Sequence, residues 1–277
     1  MEWTRSISSV ADCLRLASNP SVAGSAISAA PDHIPYAVSV ARTTQQFPWK
    51  PRRAQKRSLL YRLLRYLLAA VLGLYALAAL GLMTLRSVNP PFTAVHVERR
   101  VQSWFHKAPY HKRYTFVPLS RISLDFQHAV IAAEDSRFYQ HHGFDWEEVR
   151  NAIEEEQEDG RLRGASTITQ QLVKNLFLTT SRSFVRKGIE YTLVPIAERI
   201  LGKRRILELY LNVVEWGPGV FGAEAAAQYH YGVSAVLVNR DQGARLAAVL
   251  PSPLRRKPSR MNEYSARIQE RMSKMGW

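Results

Sequence analysis

The feature that most limits what this chain can fold into is a stretch without a single charge: from Tyr66 to Leu85 it reads YLLAAVLGLYALAALGLMTL. About 20 apolar residues in a row are what a helix needs to cross the hydrocarbon core of a bilayer. Lys50, Arg52, Arg53, Lys56, Arg57, Arg62 and Arg65 precede the run, and only Arg86 follows it closely. Cytoplasmic flanks of membrane helices carry the excess of Lys and Arg. The spacing therefore predicts a single-pass anchor in the cytoplasmic (inner) membrane, with the N-terminus inside and the rest of the chain on the periplasmic, outer face. A cleaved signal peptide is the competing reading, but the run starts far into the chain, is long for such a segment and lacks a small-x-small site followed by a mature start.

This divides the chain into a cytoplasmic tail (1–57), an anchor (58–86) and an extracytoplasmic domain (87–277). The first 49 residues are rich in Ser, Ala and Pro without sustained periodicity, and are expected to be disordered. They are equally open to being an over-extended gene start, the next Met after Met1 being Met83. Net charge is +15, and its placement decides which partners it suits. Residues 50–86 hold eight basic side chains and no acidic one, whereas 87–277 hold 27 basic and 20 acidic. The excess thus clusters at the membrane flank, and no Arg-rich run or binding module points to nucleic acid. A hydrophobic content of 46% with 22% charged residues excludes a wholly disordered chain and a collagen. The lone Cys13 excludes a disulfide scaffold and, in this topology, leaves the outer domain free of thiols.

The outer domain reads as mainly α. His96 to Phe105 is amphipathic, with Val97, Val101, Trp104 and Phe105 at helical spacing, and suits either the membrane surface or a first core helix. A helix is predicted over Leu124–Tyr139, stopped near Gly143, and Asp145 with Glu148 forms a capping pattern for the next, which ends around Gly160. Gly164 to Thr167 opens a helix through Phe177. Ser183 is placed to cap another running to Gly202, with Val185, Ile189, Leu193, Ile196 and Ile200 as its apolar stripe. Further helices are expected at Arg204–Val213, Gly222–Tyr229, Asp241–Leu250 and Asn262–Met275, with few and short strands.

Three places in this pattern carry chemistry. Glu134, in AVIAAEDSRF, has Val130, Ile131 and Phe138 three or four positions away, which puts a carboxylate on an apolar helix face. Desolvation there raises its pKa and prepares a general acid or base; a structural bond from Glu134 or Asp135 to the following His-His-Gly turn is an equal alternative. Glu190 follows Arg186 and Lys187 at helical spacing, with Arg182 and Lys174 nearby in sequence. Such spacing usually means a solvated ion pair, but four cations about one carboxylate suit a bound pyrophosphate better. The run Arg163 to Gln171, RGASTITQQ, gathers small hydroxyl and amide groups at a loop-to-helix entry, which serves either sugar and phosphate binding or a plain helix cap.

Taken in order, Glu134-Asp135-x-x-Phe138-x-x-His141-x-Gly143, RGASTITQQ with Lys174-Asn175, Arg186-Lys187-x-x-Glu190, ILELYLN and RLAAVLPSP resemble the motifs of the peptidoglycan glycosyltransferase domain. The likeness spans Phe126 to Pro258 and is closest to the monofunctional biosynthetic transglycosylases, since no Ser-x-x-Lys or Lys-Thr-Gly of the penicillin-binding kind occurs. It implies a lysozyme-like, mainly helical fold that polymerises lipid II outside the membrane with inversion at the anomeric carbon. In it Glu134 is the general base on the acceptor's 4-hydroxyl, and Glu190 assists departure of undecaprenyl pyrophosphate. Lys174, Arg182, Arg186 and Lys187 hold phosphate charge, Ser166, Thr167, Gln170 and Gln171 line the cleft, and Asp135, Phe138, His141 and Asn175 shape it from behind. No cofactor is required, although the chemistry admits a divalent cation such as Mg or Mn. The partners implied are lipid II, the growing lipid-linked glycan, the membrane, and transpeptidases or other cell-wall synthesis proteins. Two positions depart from the pattern: Ile189, basic in some members, and the aromatic-Gly segment Tyr229-His230-Tyr231-Gly232. A membrane-bound glycan-cleaving enzyme shares the implied fold and both carboxylates, but has no use for the cations around Glu190. A non-catalytic cell-wall scaffold would be indifferent to loss of Glu134.

Overall fold

The computed structural model describes residues 59–105, 110–159, 166–181 and 183–277; the expected tail and Arg182 lie outside them. The architecture is mainly helical, as the pattern predicts. Helix α1 spans Leu59–Leu85 and is the one described helix long and apolar enough to cross a membrane. It begins before the uncharged run, so Arg62 and Arg65 sit in its first turns. Most of its side chains are exposed, but its last turns pack on α6 (Phe184–Val213). Tyr75 shares a hydroxyl hydrogen bond with Thr192. Leu82 is fully buried, and Gly81 faces Phe177, whose ring carbon would stand 3.3 Å from an added Cβ.

Arg205 fastens the end of α1. Its Nε donates to the Leu85 carbonyl at 2.9 Å, an acceptor that the helix end leaves open, and its Nη2 to the Val88 carbonyl at 3.0 Å and to Asn89 Oδ1 at 2.9 Å just beyond. The same guanidinium pairs with Glu208, whose other oxygen accepts the Leu119 amide at 2.8 Å. Asn212, one turn on, exchanges two hydrogen bonds of 2.9 Å with the backbone of Val117.

Helix α2 (Ala94–Ser103) is capped by Thr93 and buries Val95 and His96. The residues that the sequence pattern singled out point the other way: Val97 and Val101 are exposed, and Trp104 and Phe105 just beyond are 71% and 83% exposed. Of the two readings, the apolar face is therefore not a core face. Glu98 on α2 accepts from the Thr180 amide and hydroxyl, both at 2.7 Å, which ties α2 to the loop ahead of α6.

Helix α3 (Leu124–Glu134) sends Phe126, Ala129 and Val130 into the core and stops at Glu134, short of the expected Tyr139. Asp135 takes φ −164° and ψ 74°, and its carboxylate binds groups outside the helix, so the backbone cannot continue. Phe138 is accordingly not on the helix of Glu134; it is buried beyond the turn. Helix α4 (Trp146–Asp159) opens with Asp145 Oδ1 accepting the Glu148 amide at 3.0 Å, the predicted cap. Helix α5 (Ile168–Phe177) is central and almost wholly buried, with Thr167 and Gln170 closing a capping box at its start.

Helix α6 carries Pro195 and breaks at Gly202, where φ is 71°, so the two helices expected on either side of that glycine run on as one broken element. Ser183 occupies its N-cap position without making a side-chain cap bond. Val185 and Ile189, expected to continue the inward stripe, are exposed, and only from Leu193 onward does the stripe bury. A three-stranded sheet of order β1 (Arg113–Tyr114), β3 (Val220–Phe221), β2 (Glu215–Gly217) follows, β3 pairing parallel to β1 and antiparallel to β2. Helix α7 (Ala223–Tyr231) ends on left-handed Gly232, and α8 (Arg240–Ala247) is capped reciprocally by Asn239 and Gln242. Helix α9 (Asn262–Lys274) packs back across α8 and α3.

Candidate active site

Glu134 ends α3 at the wall of a cavity of about 1050 Å³. Its Oε2 accepts from Gln171 Nε2 at 2.6 Å, and Gln171 Oε1 in turn accepts from the buried Tyr210 hydroxyl at 3.0 Å. The Gln171 backbone carbonyl accepts from Asn175 Nδ2 at 2.8 Å. Glu134 thus meets a donor whose orientation is fixed from behind. Burial raises its carboxyl pKa, opposed first by the Gln171 hydrogen bond and then by the charge of Lys174. Burial also carries the Tyr210 hydroxyl well above its usual value, with Glu134 and Asp135 adding to it, so the phenol stays a donor.

Asp135, next in sequence, faces the opposite way. Its Oδ1 pairs with His141 Nε2 at 2.8 Å and its Oδ2 accepts the Ile168 amide, the first of α5, at 2.9 Å. His141 Nδ1 accepts the Gly143 amide at 3.1 Å, so the proton resides on Nε2, and the Gly143 carbonyl accepts from Thr167 Oγ1 at 2.7 Å. Gly143 has φ +98°, and a Cβ there would stand 2.5 Å from Val194 Cγ1. The turn therefore needs glycine, and Asp135, not Glu134, makes the bond to it.

The second carboxylate is Glu190, on α6. Its side chain is only 3% exposed, and it receives Arg186 Nη1 at 2.6 Å and Lys187 Nζ at 2.5 Å. This is not the solvated surface pair that its spacing alone suggests. Lys187 also reaches Ser166 Oγ at 3.5 Å, and Arg186 Nε donates to the Ser181 carbonyl at 2.7 Å. Lys174, on α5, lies in the fields of both Glu190 and Glu134; burial lowers its ammonium pKa and the two carboxylates counteract this, Glu190 more strongly. Lys174 is the electrostatic link between the two halves of the site.

The remaining motif residues divide. Ser166, Thr167 and Gln171 line the cavity along with Glu134 and Asp135, whereas Gln170 is buried with its side chain turned onto the Thr167 amide at 2.9 Å. For Gln170 and for Thr167 Oγ1 the helix-cap reading describes what their polar atoms do. Phe138 is buried under Lys203, whose Nζ stands 4.4 Å from the ring centroid, and Asn175 is buried on α5. Two features escaped the sequence: the Tyr210 hydroxyl behind Gln171, and the arginines Arg256, Arg260, Arg267 and Arg271 in the lining of the cavity. The i,i+4 spacing of Arg267 and Arg271 was their visible sign.

Among the described residues, Asp135, His141 and Asp145 bring ligand-type atoms within 4.8 Å of one another. Those atoms are already engaged, in the Asp135–His141 pair, the Ile168 and Gly143 amides and the Glu148 amide, and the Arg137 guanidinium stands 3.7 Å from Asp145 Oδ2. This donor set does not fit a resident divalent ion, and it works as the brace of the turn.

Comparison with known proteins identifies the family. A family model described as Transglycosylase matches residues 100–275. The chain is 48% identical over 207 residues to the biosynthetic peptidoglycan transglycosylase of Pseudomonas fluorescens (strain SBW25), covering 73% of this chain and 86% of that protein. To the proteins of the same description from Pseudomonas entomophila (strain L48) and Pseudomonas syringae pv. tomato (strain ATCC BAA-871 / DC3000) it is 46% and 43% identical over 218 residues, 77% of this chain and 92% of each. The matched span runs through both carboxylates and every helix from α3 to α9, and the chain belongs to the Transglycosylase family.

Proposed function

We propose that this protein polymerises lipid II into linear peptidoglycan strands by inverting glycosyl transfer at the outer face of the cytoplasmic membrane. The observation that carries this is the pairing of a half-buried, single-donor carboxyl at Glu134 with a second carboxylate ringed by cations at Glu190, with Lys174 in the fields of both. Glu134 removes the proton from the 4-hydroxyl of the acceptor GlcNAc as that oxygen attacks C1 of the donor MurNAc. The C1–oxygen bond to phosphate breaks and undecaprenyl pyrophosphate leaves with the electron pair. Lys174, Arg186 and Lys187 stabilise the charge that develops on it, and Glu190 holds Arg186 and Lys187 in place. Arg182, outside the described residues, belongs to the same group by sequence. A glycan hydrolase gains nothing from such a cluster.

The division into tail, anchor and catalytic domain fits this reading. Helix α1 supplies the span, the cations of residues 50–65 face the cytoplasm, and the exposed apolar residues of α2 together with Phe184 and Val185 rest in the outer leaflet. Neither Ser-x-x-Lys nor Lys-Thr-Gly occurs in the sequence, so we assign cross-linking to separate transpeptidases.

The test is labelled lipid II incubated with full-length protein in detergent, wild type beside Glu134→Gln, with products sized before and after muramidase. Polymer from the wild type, digestible by muramidase and reduced by a factor of about 10²–10⁴ in the variant, supports the proposal. Cleavage of preformed glycan without synthesis indicates hydrolysis, and synthesis indifferent to Glu134→Gln removes its assigned role.

A further inference from the structure

The cavity at Glu134 has a wall that the glycosyl-transfer reading leaves unused. The same cavity is lined by Arg256 and Arg260, from the connection between α8 and α9, and by Arg267 and Arg271, one turn apart on α9. Arg256 and Arg267 bracket the Tyr264 ring, their guanidinium carbons 5.3 and 5.5 Å from its centroid, and Arg256 is further held by the Ala248 carbonyl at 3.0 Å. No carboxylate among the described residues forms an ion pair with any of the four. Glu134 and Glu263 line the same cavity without a salt bridge to these groups, which leaves planar forks of donors that suit an entering carboxylate.

Resting on the proposed function, we infer that this arginine wall binds the carboxylates of the peptide carried by the incoming acceptor, and so reads the stem peptide. The placement follows from Glu134. The sugar that presents its 4-hydroxyl to that base is the acceptor GlcNAc, and the neighbouring sugar bears the peptide, which then hangs into the same cavity. The acceptor's pyrophosphate is the other anion available, and one observation disfavours it. The wall stands on α9, which packs on α3 and α8, whereas the membrane helix α1 packs on α6, beside the cations around Glu190.

The experiment measures kcat and KM of the full-length protein for lipid II with free stem-peptide carboxylates and for lipid II with those carboxylates amidated. Wild type is compared with Arg267→Gln/Arg271→Gln and with Arg260→Gln. Amidation is expected to raise the wild-type KM about tenfold with little change in kcat, the double variant to show the same rise on the free-carboxylate substrate, and the two losses not to add. Arg267→Lys/Arg271→Lys is expected to recover part of the affinity. Equal losses on both substrates would assign the arginines to pyrophosphate or to the fold and overturn the inference, as would a double variant with unchanged KM. A wild type that polymerises neither substrate overturns the glycosyl-transfer reading itself, a result distinct from either.

Discussion

Glu134 is kept in a place that works against folding. Its carboxyl pKa is raised by burial, so the folded state binds its proton more tightly than the unfolded chain. The stability this gives is complete below the unfolded pKa and is lost as pH rises through the folded one. At the pH where a base must be ionised, Glu134 therefore destabilises the fold. Glu134→Gln is expected to lower synthesis by the factor given above while raising the thermal midpoint at neutral pH; a lower midpoint in calorimetry would count against a desolvated base. Gln171 acts in the opposite sense, since its 2.6 Å hydrogen bond favours the charged carboxylate. Gln171→Leu is expected to move the acid limb of the kcat/KM profile to higher pH, and Tyr210→Phe, which only frees the Gln171 amide to turn, to move it less. The sequence displayed Glu134 and its apolar neighbours, but not what Glu134 does within its turn: the local pattern is shared with Asp135, and only the fold shows which of the two braces His141.

At the scale of elements, local signals served well where a cap or a glycine sets the end. Asp145 and Thr167 open their helices where expected, while Gly232 closes α7 two residues past the expected Tyr229. They failed where a distant partner decides. Helix α3 stops early because the Asp135 carboxylate is taken by α5, more than 30 positions on, and no window of sequence contains both. The arginine wall was hidden for the same reason, since it faces Glu134 only after α9 folds back on α3. Gly143→Ala tests the braced turn: a positive φ together with a Cβ 2.5 Å from Val194 is expected to cost about 3 kcal/mol in denaturant unfolding. The outward face of α2 is expected to bind lipid. Replacing Val97, Val101, Trp104 and Phe105 by Ser should leave the fold intact by circular dichroism yet weaken flotation of the anchor-free domain with anionic vesicles several-fold; undiminished flotation would return that face to another role.

For the molecule as a whole, the acid side of the stability curve has an identifiable contributor outside the cleft. His96 is packed against the rings of Tyr114 and Phe221, at centroid distances of 4.9 and 4.1 Å, and burial lowers its pKa to about 4. A depressed histidine contributes stability above its unfolded value of about 6.5 that is lost as pH falls towards 4. His96→Phe is expected to flatten the stability profile in that window by at most ~3 kcal/mol, measured by urea unfolding of the outer domain at several pH values.

The docking of α1 on α6 sets a depth. Tyr75, which meets Thr192, lies about 15 Å of helix before Leu85, about half of a bilayer's hydrocarbon thickness. With α1 crossing the membrane as proposed, Thr192 cannot stand above the lipid surface; the first turns of α6, with Phe184 98% exposed, are sunk at the level of the outer acyl chains. On the proposed reading, the cations around Glu190 lie on those same turns, below the water surface, so a lipid-borne pyrophosphate is met without leaving the membrane and the strand is the part that must climb into water.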